Sequence, residues 1–140
     1  MNRGFSLIEL IVVLAIISAI TVVAVPSFSS WRERQVIVRE AQRVQRALER
    51  AYIISLLRET PIVISLTPET MAASTQTALP IFSLSRHPAV SVQLKSKEQQ
   101  SITFYPSHTV TPTTILVSNN SAQCSVILSL RGRTRRECSW

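Results

Sequence analysis

The sequence predicts an α+β chain in which one long N-terminal helix packs on a small antiparallel β-sheet head. Three observations carry this prediction: an apolar run over residues 5 to 25, helical periodicity from 31 to 58, and a change to period two after Pro61. At 140 residues the chain has room for one small domain beside the apolar start.

The run FSLIELIVVLAIISAITVVAV holds 21 residues and a single charge, Glu9, which is about the length of helix needed to cross a bilayer. A secretory signal peptide would have a longer basic start, a shorter apolar centre and a small-residue cleavage site behind it. An ordinary signal anchor shares this hydropathy. Further along, Ile37, Ala41, Val44, Leu48 and Ala51 follow at spacings of four, three, four and three, so they share one helix face. Arg39, Arg43, Arg46 and Arg50 repeat the spacing two positions on, about 200° round the helix, as a basic stripe on the other side. Glu40 and Glu49 lie beside that stripe, which reads as a face toward water or neighbouring subunits. The helix is expected to stop near Glu59, because Pro61 disfavours helical geometry at Thr60 and lacks a backbone donor.

Beyond Pro61 come PIVISL, LPIFSLS, AVSVQL, SITFY, TTILVS and CSVILSL, about five or six strands. Turn-forming residues part them at Thr67-Pro68, His87-Pro88, Tyr105-Pro106-Ser107, Thr111-Pro112 and Ser118-Asn119-Asn120-Ser121. Met71 to Thr77 reads as a loose loop. Ser and Thr at alternate strand positions predict a sheet with one wet face, and the apolar stripe of the helix is the natural cover for the other.

Composition narrows the chemistry. From Pro26 onward the chain holds 14 of its 15 Lys and Arg and 7 of its 8 acids, an excess of +7 that favours polyanionic partners such as nucleic acid or an anionic membrane. Every acid is Glu, so no site can rest on paired aspartates, and no Asp exists to orient His108 beside Ser107. His87 and His108 lack metal-ligand spacing, and with only Gly4 and Gly132 there is no glycine-rich phosphate loop. The sequence thus argues for no catalytic residue, no metal and no cofactor. Cys124 and Cys138, 14 positions apart, are too far for a CxxC unit, and a disulfide in an exported, oxidised head is the better reading.

The opening MNRGFSLIEL combines a short leader with one positive charge, a Gly-Phe junction and a Glu four residues after Phe5. It resembles the signal of the type IV pilin and pseudopilin family. The resemblance covers about the first 26 residues and implies a pilin-like fold. It further implies cleavage by a prepilin peptidase between Gly4 and Phe5, methylation of the new amino terminus at Phe5, and a filament-assembly role for Glu9. Pro26 falls where members commonly carry a helix-bending proline. The physical reading of Glu9 agrees, since a carboxylate inside an apolar helix costs a few kcal/mol and persists where it finds a partner, such as the free amino group of a neighbouring Phe5. The expected organisation is a leader at 1–4, a transmembrane helix at 5–25, an amphipathic helix at 26–59 and a β-rich head at 60–140.

At the other end, LSLRGRTRRECSW places Arg131, Arg133, Arg135 and Arg136 around Gly132. Here the chain is similar to the FimT/GspH branch of minor pilins and pseudopilins, in which a strand is followed by Gly-Arg-x-Arg, matched by Gly132-Arg133-Thr134-Arg135. In FimT-like members of competent bacteria that element is linked to DNA binding for uptake. If Leu130-Arg131-Gly132 form a three-residue hairpin loop with Gly132 left-handed, Ser129 faces Arg133, and facing residue numbers sum to 262 throughout. Cys124 then faces Cys138, while Arg133 and Arg135 point to the opposite face. Such a bridge closes a loop of about 15 residues and contributes roughly 3 kcal/mol in the chain-entropy model. Rigid, forked guanidinium groups suit phosphate oxygens without reading bases. Alternatively the arginines form a charged edge that keeps the last strand from pairing with other molecules. Lys95 and Lys97 extend the candidate basic patch.

These readings converge on a minor pilin anchored in the bacterial inner membrane before assembly and carried afterwards through the periplasm into an extracellular pilus. Its expected partners are other pilins, prepilin peptidase and extracellular double-stranded DNA. The rival expectations are a structural minor pilin or type II secretion pseudopilin, and more distantly a signal-anchored periplasmic enzyme.

Overall fold

The computed structural model describes residues 6–67, 70–96 and 101–140, without the side chains of 22–27. The chain divides into two compact units, Met1–Glu33 and Arg34–Trp140. One helix, α1 (Leu7–Leu57), contributes to both and continues through position 26.

In the first unit, the helix starts with Glu9 folding back to accept a hydrogen bond from the Ser6 backbone N–H at 3.0 Å, which satisfies one of the unpaired donors of the first turn. Ser18 Oγ donates to the Leu14 carbonyl at 2.8 Å, so this polar group is also satisfied within the helix. Leu7, Ile8, Leu10, Ile11, Val12, Val13, Leu14, Ile16, Ile17 and Ile20 are all exposed, as expected of a helix that is apolar all round and must be covered by lipid or by other chains. The predicted membrane span at 5–25 lies partly outside the described residues. Among the described residues no helix is long and apolar enough to cross a membrane.

In the second unit the remainder of α1 is amphipathic as the periodicity predicts. Ile37, Ala41, Val44, Leu48 and Ala51 are buried to within 3% exposure, whereas Arg39, Arg43, Arg46 and Arg50 are exposed. The helix ends at Leu57, two residues before the expected stop. Glu59 takes up a left-handed conformation (φ 51°) that terminates helices, ahead of Pro61.

Among the described residues nine strands follow: β1 (Ile62–Leu66), β2 (Thr70–Thr75), β3 (Pro80–Ser85), β4 (Ser91–Leu94), β5 (Ser101–Tyr105), β6 (Thr109–Val110), β7 (Thr113–Ser118), β8 (Gln123–Leu128) and β9 (Thr134–Ser139). They form two antiparallel sheets rather than the expected one, in the orders β3-β2-β1-β5-β6 and β4-β7-β8-β9. Alternate residues of both sheets point into one core with the helix stripe: Ile62, Ile64, Met71, Ala73, Ile102 and Phe104 from the first, and Val92, Ile115, Val117, Cys124, Val126 and Leu128 from the second. Each fully buried large side chain contributes about 1.5–3 kcal/mol, so this shared core dominates the stability of the head.

The segment Met71 to Thr77 is corrected from loop to strand as far as Thr75. Small Ala and Ser residues hide its β character, but β2 lies between β1 and β3, pairing Ile64 with Ala73 on one side and Leu84 with Met71 on the other.

Candidate nucleic-acid interface

The C-terminal hairpin forms in the register that its glycine dictates. Ser129 N–H donates to the Arg133 carbonyl at 3.0 Å, Gly132 N–H donates to Ser129, and Gly132 has φ +77°. The pairs from Leu128 with Thr134 to Gln123 with Ser139 all sum to 262. Cys124 and Cys138 therefore face each other, with Cα atoms 4.0 Å apart, and are joined by a disulfide.

Further ties bind the hairpin to α1 and its surroundings. A Cβ at Gly132 would lie 2.8 Å from the Tyr52 ring, so the loop rests directly on that aromatic face. The Tyr52 hydroxyl pairs in turn with Nδ1 of His108, in the β5–β6 turn, at 3.2 Å. Thr134 Oγ1 donates to the Glu49 carboxylate at 2.6 Å, and Gln45 Nε2 reaches both groups at 3.1 Å. At the chain end the Arg34 guanidinium lies 5.9 Å from the centroid of the Trp140 ring, within cation–π range. The Leu130 carbonyl also accepts from Val110 N–H at 2.9 Å, which links the loop to the other sheet.

On this frame the predicted basic residues separate. Arg133 and Arg135 stand exposed on the outward face, opposite the disulfide, and Arg131 is exposed on the loop. Arg135 lends one nitrogen to Glu137 at 2.7 Å while its side chain stays 77% exposed. Arg136 shares the inward face with Cys138. It is half-buried, with Nη1 enclosed and without a hydrogen-bond partner among the described residues, so it does not extend the outward pair. Lys95 donates its backbone N–H to the Thr114 carbonyl at 2.8 Å, continuing the β4–β7 register by one residue. That places it in the cross-strand row of Thr114, Ile127 and Arg135, on the outward face and three strand spacings, about 14 Å, from Arg135. Lys97, Gly4 and Phe5 lie outside the described residues.

The sequence did not reveal the Tyr52, Glu49 and Arg34 supports, because each joins residues more than fifty positions apart. Elsewhere in the head, an open cavity of about 980 Å³ is lined in part by Ser65, Arg86, Ser91, Gln93 and Asn119. Burial lowers the Arg86 guanidinium pKa from its ordinary value, and Nη1 donates to the Val92 carbonyl at 2.8 Å. Among the described residues no group of three His, Cys, Asp or Glu side chains is arranged to hold a metal ion.

Residues 1–25 match the prokaryotic N-terminal methylation motif. No curated protein matches the chain. Two crystal structures of the type IV minor pilin FimU from Pseudomonas aeruginosa PAO1 are similar in fold. The first, in space group P21, has a TM-score of 0.64 at 17% identity and covers 76% of this chain and 92% of FimU. The second, in P65, has a TM-score of 0.60 at 17% identity, over 71% and 90%. The chain thus begins with the methylation motif of type IV prepilins and has the type IV pilin fold, a long N-terminal helix packed on antiparallel sheet.

Proposed function

We propose that the chain is the precursor of a FimT-like minor type IV pilin that binds extracellular double-stranded DNA during natural transformation. Prepilin peptidase cuts it after Gly4 and methylates Phe5. The span at 5–25 holds it in the inner membrane until Glu9 meets the amino group of a neighbouring Phe5 and the subunit enters the fibre. Mass spectrometry of the assembled protein is expected to find N-methyl-Phe5 at its start, and an intact Met1 would overturn this processing.

The observation that carries the DNA reading is the presentation of Arg133 and Arg135 on the outward face of a hairpin pinned by a disulfide and by its packing on α1. Guanidinium groups held this way lose little freedom on meeting phosphates, and binding to phosphates carries no sequence information. Changing both arginines to Gln in the full-length chain is expected to weaken binding to unrelated duplexes equally. It should also lower the salt slope by about 0.9 for each phosphate that is no longer neutralised. Strand content and the disulfide should persist, and transformation should fall. The paired change of Arg39 and Arg43 to Gln is the control and should affect DNA binding less. A tail variant that binds and transforms like the parent would transfer support to the second reading, a structural minor pilin or type II secretion pseudopilin. That reading is favoured by the fold likeness to the type IV minor pilin FimU.

A further inference from the structure

A second basic feature lies away from the hairpin, where the arginine stripe of α1 borders the outer strand of the five-stranded sheet. A groove of about 240 Å³ runs between them, with Arg43, Arg46 and Arg50 on the helix side and Phe82 and Leu84 on the strand side, above Ala47. The Arg50 guanidinium lies 5.1 Å from the centroid of the Phe82 ring, which holds it at the lip of the groove. Arg43 donates to Glu40 at 2.7 Å and remains 45% exposed. Arg46 has no ion-pair partner among the described residues.

The strand side is equally open. Among the described residues β3 ends its sheet and pairs with β2 alone, so its other edge presents unpaired backbone groups. Exposed edges are normally blunted by charged residues, prolines or bulges. Here Pro80 and a register shift that skips Ile81 guard only the start of the strand, and Phe82–Ser85 is regularly paired with β2 and carries no charge.

We infer that this groove docks an extended acidic segment of another protein, which adds as a strand to the β3 edge and places its carboxylates against Arg43, Arg46 and Arg50. An unpaired edge offers main-chain hydrogen bonds to a polypeptide, and side chains at alternate positions supply the specificity. Residues two apart on a strand project on one side about 7 Å apart. The helix rise sets Arg43, Arg46 and Arg50 about 4.5 and 6 Å apart along its axis, so an alternating acidic segment is matched within the reach of long side chains. The apolar floor of Ala47, Phe82 and Leu84 suits a polypeptide side chain better than a sugar-phosphate backbone. A second copy of this chain is a poor occupant, because no two of its eight glutamates stand two residues apart. The inference does not depend on the hairpin binding DNA, since the two sites share no residue.

The test uses the full-length chain in detergent micelles and a fluorescent eight-residue peptide alternating Glu with Thr, followed by anisotropy. The peptide is expected to bind. Replacing its Glu by Gln, or N-methylating alternate backbone amides, should each weaken binding about tenfold or more. Arg46→Glu with Arg50→Glu in the protein should do the same while leaving the disulfide and strand content intact. Absence of binding would overturn the inference, and so would equal binding of the N-methylated peptide, which would reduce the site to charge attraction alone. It would also fall if a short DNA duplex displaced the peptide and lost affinity equally in the Arg46/Arg50 variant, because the groove would then be a general polyanion surface.

Discussion

Gly132→Ala is expected to destabilise the head by about 2–5 kcal/mol, a large effect for one methyl group added to an exposed hairpin loop. Two independent penalties combine. A left-handed backbone costs a residue bearing a Cβ about 1–2 kcal/mol, and Gly132 sits at φ +77°. The added carbon would also meet the Tyr52 ring at 2.8 Å, and overpacking of this kind costs about 1–3 kcal/mol. Tyr52 cannot swing clear freely, since its hydroxyl is engaged by His108. Urea unfolding followed by the circular dichroism of the strands measures the sum, and a double-mutant cycle separates its parts. Tyr52→Ala in the Gly132→Ala background should restore the packing part and leave the backbone part. If the two substitutions are additive, the loop does not rest on Tyr52 as described. On the proposed function the consequence is specific: a displaced loop frees Arg133 and Arg135 from their fixed presentation, and the proposed DNA binding should weaken although every arginine remains.

Phe104→Ala is expected to cost about 3–5 kcal/mol, the range for removing a fully buried aromatic side chain. Phe104 has no exposed surface and heads the set of large buried side chains. It lies on β5, facing Ile62 of β1 on one side and Val110 of β6 on the other, so its loss opens a cavity where the five-stranded sheet meets the core. Phe104→Leu keeps most of the volume and should cost less. A midpoint shift for Phe104→Ala no larger than that of an exposed control such as Ser83→Ala would contradict the shared core. Because β6 is only two residues long and the Val110 N–H donates to Leu130, the change should also loosen the hairpin through that bond.

The parts of the molecule that could be read in the sequence are those fixed by short-range rules. The helix stripe from Ile37 to Ala51 was legible because burial of one face repeats every three or four residues, and the structure buries those positions. The hairpin register was legible for a sharper reason: a single glycine sets the loop, the loop sets the pairing, and pairing by twos sends Cys138 inward and Arg133 and Arg135 outward. Strand β2 was not legible. Thr70–Thr75 has only modest strand preference, and its conformation is imposed by neighbours on both sides. The division of the strands into two sheets was hidden for the same reason, since a strand's own pattern does not name its partner.

Among the candidate site residues, sequence order placed four arginines within six positions, while the fold exposes Arg133 and Arg135 together and turns Arg136 toward the core side. Lys95 joins their face from the far edge of the sheet, 40 positions earlier in the chain. The sequence by itself determined the helix stripe, the disulfide and the alternation of the last strand, because each follows from periodicity or from a hairpin register set within one short segment, and it carried the N-terminal methylation motif by its resemblance to type IV pilins. Only the tertiary structure decided that Tyr52, Glu49 and Arg34 hold the hairpin, and that Arg43, Arg46 and Arg50 share a groove with β3. Those interactions join segments roughly 30 to 105 residues apart, and they exist only when the common core has brought helix and sheets together.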